Sequence, residues 1–128
     1  KAVHPLMSEV IALLKNSNRL GNSGFIESRE NYLELLASSH CVLSTSNHEF
    51  QGLAVQEAIA SGCLPVVPDR LVYPEYIESP WRYRNPKHAV ELLQSLSMGQ
   101  LQNFDRSALP GRSWAILRPL WENIIEAQ

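Results

Sequence analysis

The stretch CVLSTSNHEFQGLAVQEAIASGCLPVVP, residues 41–68, decides the fold class of this chain. Two almost continuous apolar runs, 41–46 and 63–68, are typical of strands that are covered on both faces. Between them lie a loop and a helical segment from about Gly52 to Ser61, and Gly62 follows where glycine commonly ends a helix. A strand, a helix and a strand in this order predict a parallel pair joined by a crossover helix.

The hydrophobic pattern predicts further elements on both sides of this unit. They are a helix at 2–16, a short strand at 25–28, a helix at 29–39 capped by Ser28, a helical turn at 74–77, an edge strand at 81–84, and helices from 86 and from 114. Because strands alternate with helices, the expected architecture is α/β, a Rossmann-like parallel sheet flanked by helices. No repeat or linker interrupts it, so one domain over residues 1–128 is expected.

The composition is that of a globular domain, with 128 residues, 45% hydrophobic residues and a formal net charge of −2. That charge argues against a surface that tracks nucleic-acid phosphates. No apolar run reaches the length of a membrane span and no signal peptide is recognisable, so a cytoplasmic protein without a membrane span is expected. The chain starts at Lys1 and runs straight into a helical pattern, which predicts a fragment of a longer protein. Cys41 and Cys63 each open an apolar run and are expected to be buried, reduced thiols.

The loop between the two strands is the candidate site, because ligands bind outside the carboxyl ends of strands in open parallel sheets. The N–H groups of Gly52, Leu53 and Ala54 at the helix start are expected to face a ligand, and the helix dipole favours an anion there. The helix is apolar almost all round and is expected to be largely buried. Two glutamates accompany it, and buried carboxylates are costly unless something pairs with them. Ordinary structural roles remain open, with Glu57 as a solvated helix residue and Glu49 as a loop charge.

The spacing Glu49-x7-Glu57, followed by EAIASGCLPVV, resembles the signature of retaining glycosyltransferases of the GT-B fold, the glycosyltransferase group 1 family. The positions in register are Glu49, Gly52, Glu57, Ala58, Ala60, Gly62, Pro65, Val66 and Val67. One departure is Gln51, which stands where that family usually has phenylalanine. The segments STSNHEF and LVYPEYI further resemble the glycosyltransferase-like proteins that mannosylate queuosine in tRNA, and their bacterial relatives.

The resemblance implies that the chain is a partial C-terminal nucleotide-sugar-binding domain. In it, Glu57 would hold the ribose hydroxyls, the amides of Gly52 and Leu53 would face the diphosphate, and Glu49 would bind the donor sugar as the catalytic residue. His48 and Gln51 belong to the same donor-binding loop. Both glutamates are expected to open onto one cleft at the carboxyl ends of strands 41–46 and 63–68. The donor is a nucleotide sugar, with GDP-mannose as one candidate, and the implied reaction retains configuration without a covalent intermediate on Glu49.

The same resemblance also has implications for the acceptor and for the neighbours of strand 41–46. The acceptor, for which a tRNA nucleoside is one candidate, would bind through an N-terminal domain that this chain lacks, and the fragment alone is expected to be inactive. Strand 41–46 would lose its usual neighbour, so either strand 25–28 pairs with it or two copies of the chain form a homodimer. The competing class is a non-catalytic α/β binding or assembly module.

Other polar residues near the loop fit simpler roles. His48 and Glu49 do not form a zinc motif, because position 52 is glycine rather than the second histidine of H-E-x-x-H. No metal and no cofactor are therefore expected. The hydroxyls of Ser44, Thr45 and Ser46 either meet a ligand or cap a loop. Arg70 follows the second strand and fits either a phosphate contact or an ordinary surface arginine.

Overall fold

The computed structural model describes residues 4–109. The chain as a whole divides into two compact units, Lys1–Tyr32 and Leu33–Gln128. A single domain over the whole of 1–128 stays a prediction. The helix expected from residue 114 lies outside the described residues. Among the residues described, no helix is long and apolar enough to cross a membrane.

The first unit contains helix α1, Pro5–Asn16, and the start of helix α2, Arg29–Ser38, which ends in the second unit. Both helices were expected, and the cap at Ser28 is confirmed, because Asn31 N–H donates to Ser28 Oγ at 3.2 Å. The strand expected at 25–28 is wrong, since this segment has no strand and the Phe25 side chain is 90% exposed. A strand needs a neighbouring strand that satisfies its backbone hydrogen bonds. A short apolar stretch such as 25–28 indicates a strand but does not provide that neighbour.

The second unit is built on a parallel three-stranded sheet in the order β1-β2-β3, which confirms the α/β expectation. Its strands are β1 Cys41–Leu43, β2 Leu64–Pro68 and β3 Arg82–Tyr83; its other helices are α3 Leu53–Ala60 and α4 Pro86–Ser97. Short 3₁₀ turns span Tyr73–Glu75, Ser79–Trp81 and Arg106–Ala108. β1 is shorter than the expected 41–46, and β3 is the edge strand that the sequence predicted.

The core lies between α3, the sheet and the turns that follow β2. Its buried members are Val55, Ile59, Val67, Tyr73, Tyr76, Ile77, Trp81 and Phe104. Trp81 and Phe104 pack edge to face with their ring centroids 5.7 Å apart. Only one face of α3 takes part, and Leu53 on the other side is 61% exposed. The expectation of a largely buried α3 is therefore wrong, because within residues 4–109 the sheet and the turns cover one side of this helix.

Helix α3 ends as the sequence predicted. Gly62 adopts a φ of +110°, its N–H donates to Ile59 C=O, and Cys63 N–H donates to Ala58 C=O, both at 3.0 Å. These are the two hydrogen bonds of a Schellman motif. Cys63 is fully buried and Cys41 is partly buried; both are free thiols, and burial raises the pKa of each.

One edge of β1 has no neighbouring strand among residues 4–109, since β2 occupies the other edge. The expectation that residues 25–28 would fill this position is wrong, because they form no strand. Pairing of two copies through this edge stays a prediction.

Candidate functional site

The loop that follows β1 is anchored to the second half of the domain by two tyrosines. Ser44 is buried, and its hydroxyl lies 2.8 Å from the hydroxyl of Tyr73. The hydroxyl of Tyr83 donates a hydrogen bond to the carbonyl oxygen of Ser44, also at 2.8 Å. Sequence reasoning left Ser44 between a ligand contact and a cap, and it missed both tyrosines. A single tyrosine after a strand carries no periodic signal that could have identified it.

Arg70 fixes the next part of the same loop. Its Nη2 donates to the carbonyl of Ser46 at 3.3 Å and to Oδ1 of Asn47 at 3.1 Å. Arg70 comes directly after β2, so this contact joins the loops that follow two neighbouring strands. The carboxyl ends of β1 and β2 are therefore connected by side chains as well as by the sheet.

Glu49 closes a tight turn at residues 49–52. Its Oε1 accepts the N–H of Phe50 at 3.1 Å and the N–H of Gly52 at 3.0 Å. The carboxylate is half-buried, and the described hydrogen bonds of Glu49 in residues 4–109 all use Oε1. In this structure Glu49 accepts the Gly52 N–H, and the expectation that this N–H faces a ligand stays a prediction.

Gly52 is required at its position for two separate reasons. Its φ is +66°, in the left-handed region that favours glycine. A Cβ atom at this position would lie 2.5 Å from the Tyr76 hydroxyl oxygen and 3.1 Å from a ring carbon of Tyr73. Within the chain, the groups that approach this backbone closely are two tyrosine side chains.

The carbonyl of Gln51 completes the turn. It accepts a hydrogen bond from Nε2 of Gln56 at 2.6 Å and a longer one from the Tyr76 hydroxyl at 3.4 Å. Burial raises the pKa of Tyr76 to about 12, and Gln56 partly offsets this by hydrogen bonding to the phenol. The side chains of Gln51 and His48 are exposed beside this packed turn.

Helix α3 presents its N-terminus next to the Glu49 turn. The hydrogen bond from Gln56 N–H to Gly52 C=O is 2.9 Å long, so the amides of Leu53 and Ala54 precede the first turn of intrahelical bonds. The first turn of α3 carries no acidic residue, and the carboxylate that lies at this helix end is that of Glu49, bound to the N–H of the N-cap residue Gly52. Glu57 lies one turn further on and is half-buried.

A separate cavity of about 600 Å³, the strand-end cleft, lies at the carboxyl ends of all three strands. It is lined by Leu43 at the end of β1 with Thr45 and Asn47 beyond it, by 68–70 at the end of β2, by 83–85 at the end of β3, and by the first turns of α4. Neither Glu49 nor Glu57 lines this cleft. The strand-end cleft is therefore not a cleft onto which both glutamates open, as was expected. The loop that carries Glu49 is tied to Tyr76, whereas the cleft is walled by α4.

The described residues 4–109 contain no group of three histidine, cysteine, aspartate or glutamate side chains placed to hold a metal ion. Asp69, at the rim of the strand-end cleft, forms an ion pair with Arg82, whose Nε lies 3.1 Å from Oδ1. The N–H of Arg82 is not aligned for a hydrogen bond across this distance.

These features define a Rossmann-like α/β sheet flanked by helices, with a packed glutamate turn and an open cleft at its strand ends. Over 61 residues, the chain is 48% identical to the tRNA-queuosine alpha-mannosyltransferase of Drosophila melanogaster. The match covers 48% of this chain and 16% of that relative, about one sixth of its length. No family model and no solved structure matches the chain.

Proposed function

We propose that this chain is part of the C-terminal nucleotide-sugar-binding domain of a retaining GT-B glycosyltransferase. Two findings support the proposal: the similarity to a mannosyltransferase, and the geometry of the turn at residues 49–52. The turn carries most weight, because two backbone N–H groups hold one carboxylate oxygen of Glu49 at a loop beside a helix N-terminus. A carboxylate held in this way keeps a fixed orientation before any ligand arrives.

Glu49 is the proposed catalytic residue. With Oε1 occupied by Phe50 and Gly52, its Oε2 is the oxygen that can accept a hydroxyl of the donor sugar. In the proposed reaction, the acceptor hydroxyl forms a bond to the anomeric carbon on the face from which the nucleoside diphosphate departs. The bond from the anomeric carbon to the diphosphate oxygen breaks, the proton of the acceptor hydroxyl passes to the departing diphosphate, and the configuration is retained.

The rest of the donor follows helix α3. Because Gly52 N–H donates to Glu49, the diphosphate contact is assigned to the amides of Leu53 and Ala54, where the helix dipole favours an anion. Glu57 is proposed to accept the ribose hydroxyls, and the exposed side chains of His48 and Gln51 border the donor. This scheme uses no metal and no other cofactor.

The name of the Drosophila relative suggests which substrates the proposed reaction uses. GDP-mannose is the proposed donor, and a modified tRNA nucleoside is the proposed acceptor, bound through an N-terminal domain outside this chain. A cytoplasmic location belongs to the same proposal, because that is where such a donor and tRNA meet.

Isothermal titration of the natural full-length protein with GDP, UDP and ADP tests the donor. We expect GDP to bind best, and Glu57→Ala to weaken nucleotide-sugar binding by about 1.5–3 kcal/mol, the range for hydrogen bonds to a charged group. Glu49→Ala should reduce mannosyl transfer more than it reduces GDP binding, because Glu49 contacts the sugar. Wild-type transfer rates in both variants would contradict these roles, and no binding of any nucleotide would favour a non-catalytic module.

A further inference from the structure

The strand-end cleft has a mostly apolar floor. The side chains that form it come from all three strands and from α4: Leu43, Pro68, Tyr83, Pro86, Val90 and Leu93. Val90 is 53% exposed and Leu43 is 45% exposed, although both belong to this apolar surface. A volume of about 600 Å³ is within the range of small-molecule sites. The floor therefore offers room and apolar contact for a flat ring system.

The rim of the same cleft carries two arginines with unused donors. Within residues 4–109, the guanidinium of Arg84 has no hydrogen bond or ion pair, and Arg70 uses only Nη2. The acidic residue of the rim, Asp69, is offset by Arg82 at 3.1 Å. The first turn of α4, which begins here, contains no acid. The rim is thus a positive, donor-rich edge beside an apolar floor.

We propose that the strand-end cleft binds a nucleoside phosphate, with the phosphate on Arg84 and Arg70 and the base on the apolar floor. Arginine offers a fork of N–H donors that matches phosphate oxygens, and its charge is not lost at physiological pH. Glu49 and Glu57 do not line the cleft, although Asn47 of the same loop does, so this is a second nucleotide site beside the Glu49 turn. Its source, a nucleotide of the acceptor RNA or a free nucleotide, rests on the proposed function.

Binding measured on the natural full-length protein carrying Glu57→Ala, which weakens the proposed donor site, tests the cleft, with GMP and a short single-stranded RNA as the two probes. Arg84→Ala should weaken binding about tenfold or more, as expected for the loss of a charge-assisted contact. Val90→Trp should weaken it similarly by filling the cleft, and the exposure of Val90 leaves room for the larger ring outside the core. Lys87→Ala is the matched control, because Lys87 lies at the same helix start without lining the cleft. It should change affinity less than twofold.

The two probes distinguish the sources. Tighter binding of RNA than of GMP, lost in Arg84→Ala, assigns the cleft to the acceptor; equal binding of both, lost in the same variant, assigns it to a free nucleotide. If Arg84→Ala and Val90→Trp bind both probes with wild-type affinity, the proposal that the cleft binds a nucleoside phosphate is wrong. It is also wrong if the protein without these substitutions binds neither probe. Mannosyl transfer and the Glu57→Ala titration report on the proposed function separately. The cleft can therefore fail while that function stands, and the reverse also holds.

Discussion

The Glu49 turn follows the carboxyl end of β1, and the strand-end cleft lies at the carboxyl ends of β1, β2 and β3, yet the polar groups of the two regions are satisfied differently. In the turn, one carboxylate oxygen of Glu49, two amides and a carbonyl are satisfied by the chain itself, and tyrosines pack against the glycine. In the cleft, Arg84 and most of the donors of Arg70 have no partner within residues 4–109. The turn is thus organised before a ligand binds, whereas the cleft leaves its donors for a ligand.

Gly52→Ala should disturb the turn most. The added Cβ meets the Tyr76 hydroxyl at 2.5 Å, and the left-handed backbone penalises any Cβ, so we expect the free energy of unfolding to fall by about 2–3 kcal/mol. Urea unfolding measures this. Gly62→Ala is the control, because its φ is also positive but no atom lies within 4 Å of the added Cβ. Equal losses in the two variants would show that the tyrosines do not pack tightly against the turn.

Tyr73→Phe should have the next largest effect, because it removes the 2.8 Å contact that satisfies the buried hydroxyl of Ser44. We expect a loss of about 1–1.5 kcal/mol in the free energy of unfolding, measured in the same way. Because Ser44 Oγ also donates to Ser46 Oγ at 3.3 Å and accepts the Ser46 N–H at 3.4 Å, adding Ser44→Ala to Tyr73→Phe should increase the loss further. If Tyr73→Phe alone is as stable as wild type, the contact between the hydroxyls of Tyr73 and Ser44 does not stabilise this loop.

Glu49→Ala should cost about 0.5–1 kcal/mol of stability, because the N–H groups of Phe50 and Gly52 lose a shared acceptor. Glu49→Gln keeps an oxygen at the same place and should unfold within about 0.5 kcal/mol of wild type. It removes the charge, however, and should still reduce mannosyl transfer. If the glutamine variant loses as much stability as the alanine variant, the turn depends on the charge rather than on the hydrogen bonds.

The smallest effect concerns the phenol of Tyr76, whose pKa burial raises from 10.0 to about 12. Between these values the unfolded chain loses this proton while the folded chain keeps it, so stability should fall as the pH rises through that window. Ultraviolet titration of the tyrosines should show a late component that Tyr76→Phe removes. A wild-type titration without that component would mean that Tyr76 is open to solvent.

Local sequence determined the elements with the strongest local signals. The parallel unit β1-α3-β2, the cap of α2 at Ser28 and the end of α3 at Gly62 all follow from apolar runs and from residues with specific backbone preferences. These signals act over a few residues, so a sequence displays them directly. The glutamate pair was visible for the same reason, because both members lie within one loop and the helix that follows it.

Tertiary structure alone decided the partners. Tyr73 and Tyr76 reach the loop from more than twenty residues away, as does the arginine that fixes Asn47, and no local pattern marks such pairs. The same limit explains the wrong strand at 25–28 and the exposed side of α3, because strand formation and burial depend on which neighbour covers a segment. The sequence by itself determined the parallel α/β unit and placed two glutamates in one loop–helix segment. Only the packing of distant side chains decided that Tyr73 and Tyr76 support the loop around Glu49 while the arginines of the cleft keep donors free for a ligand.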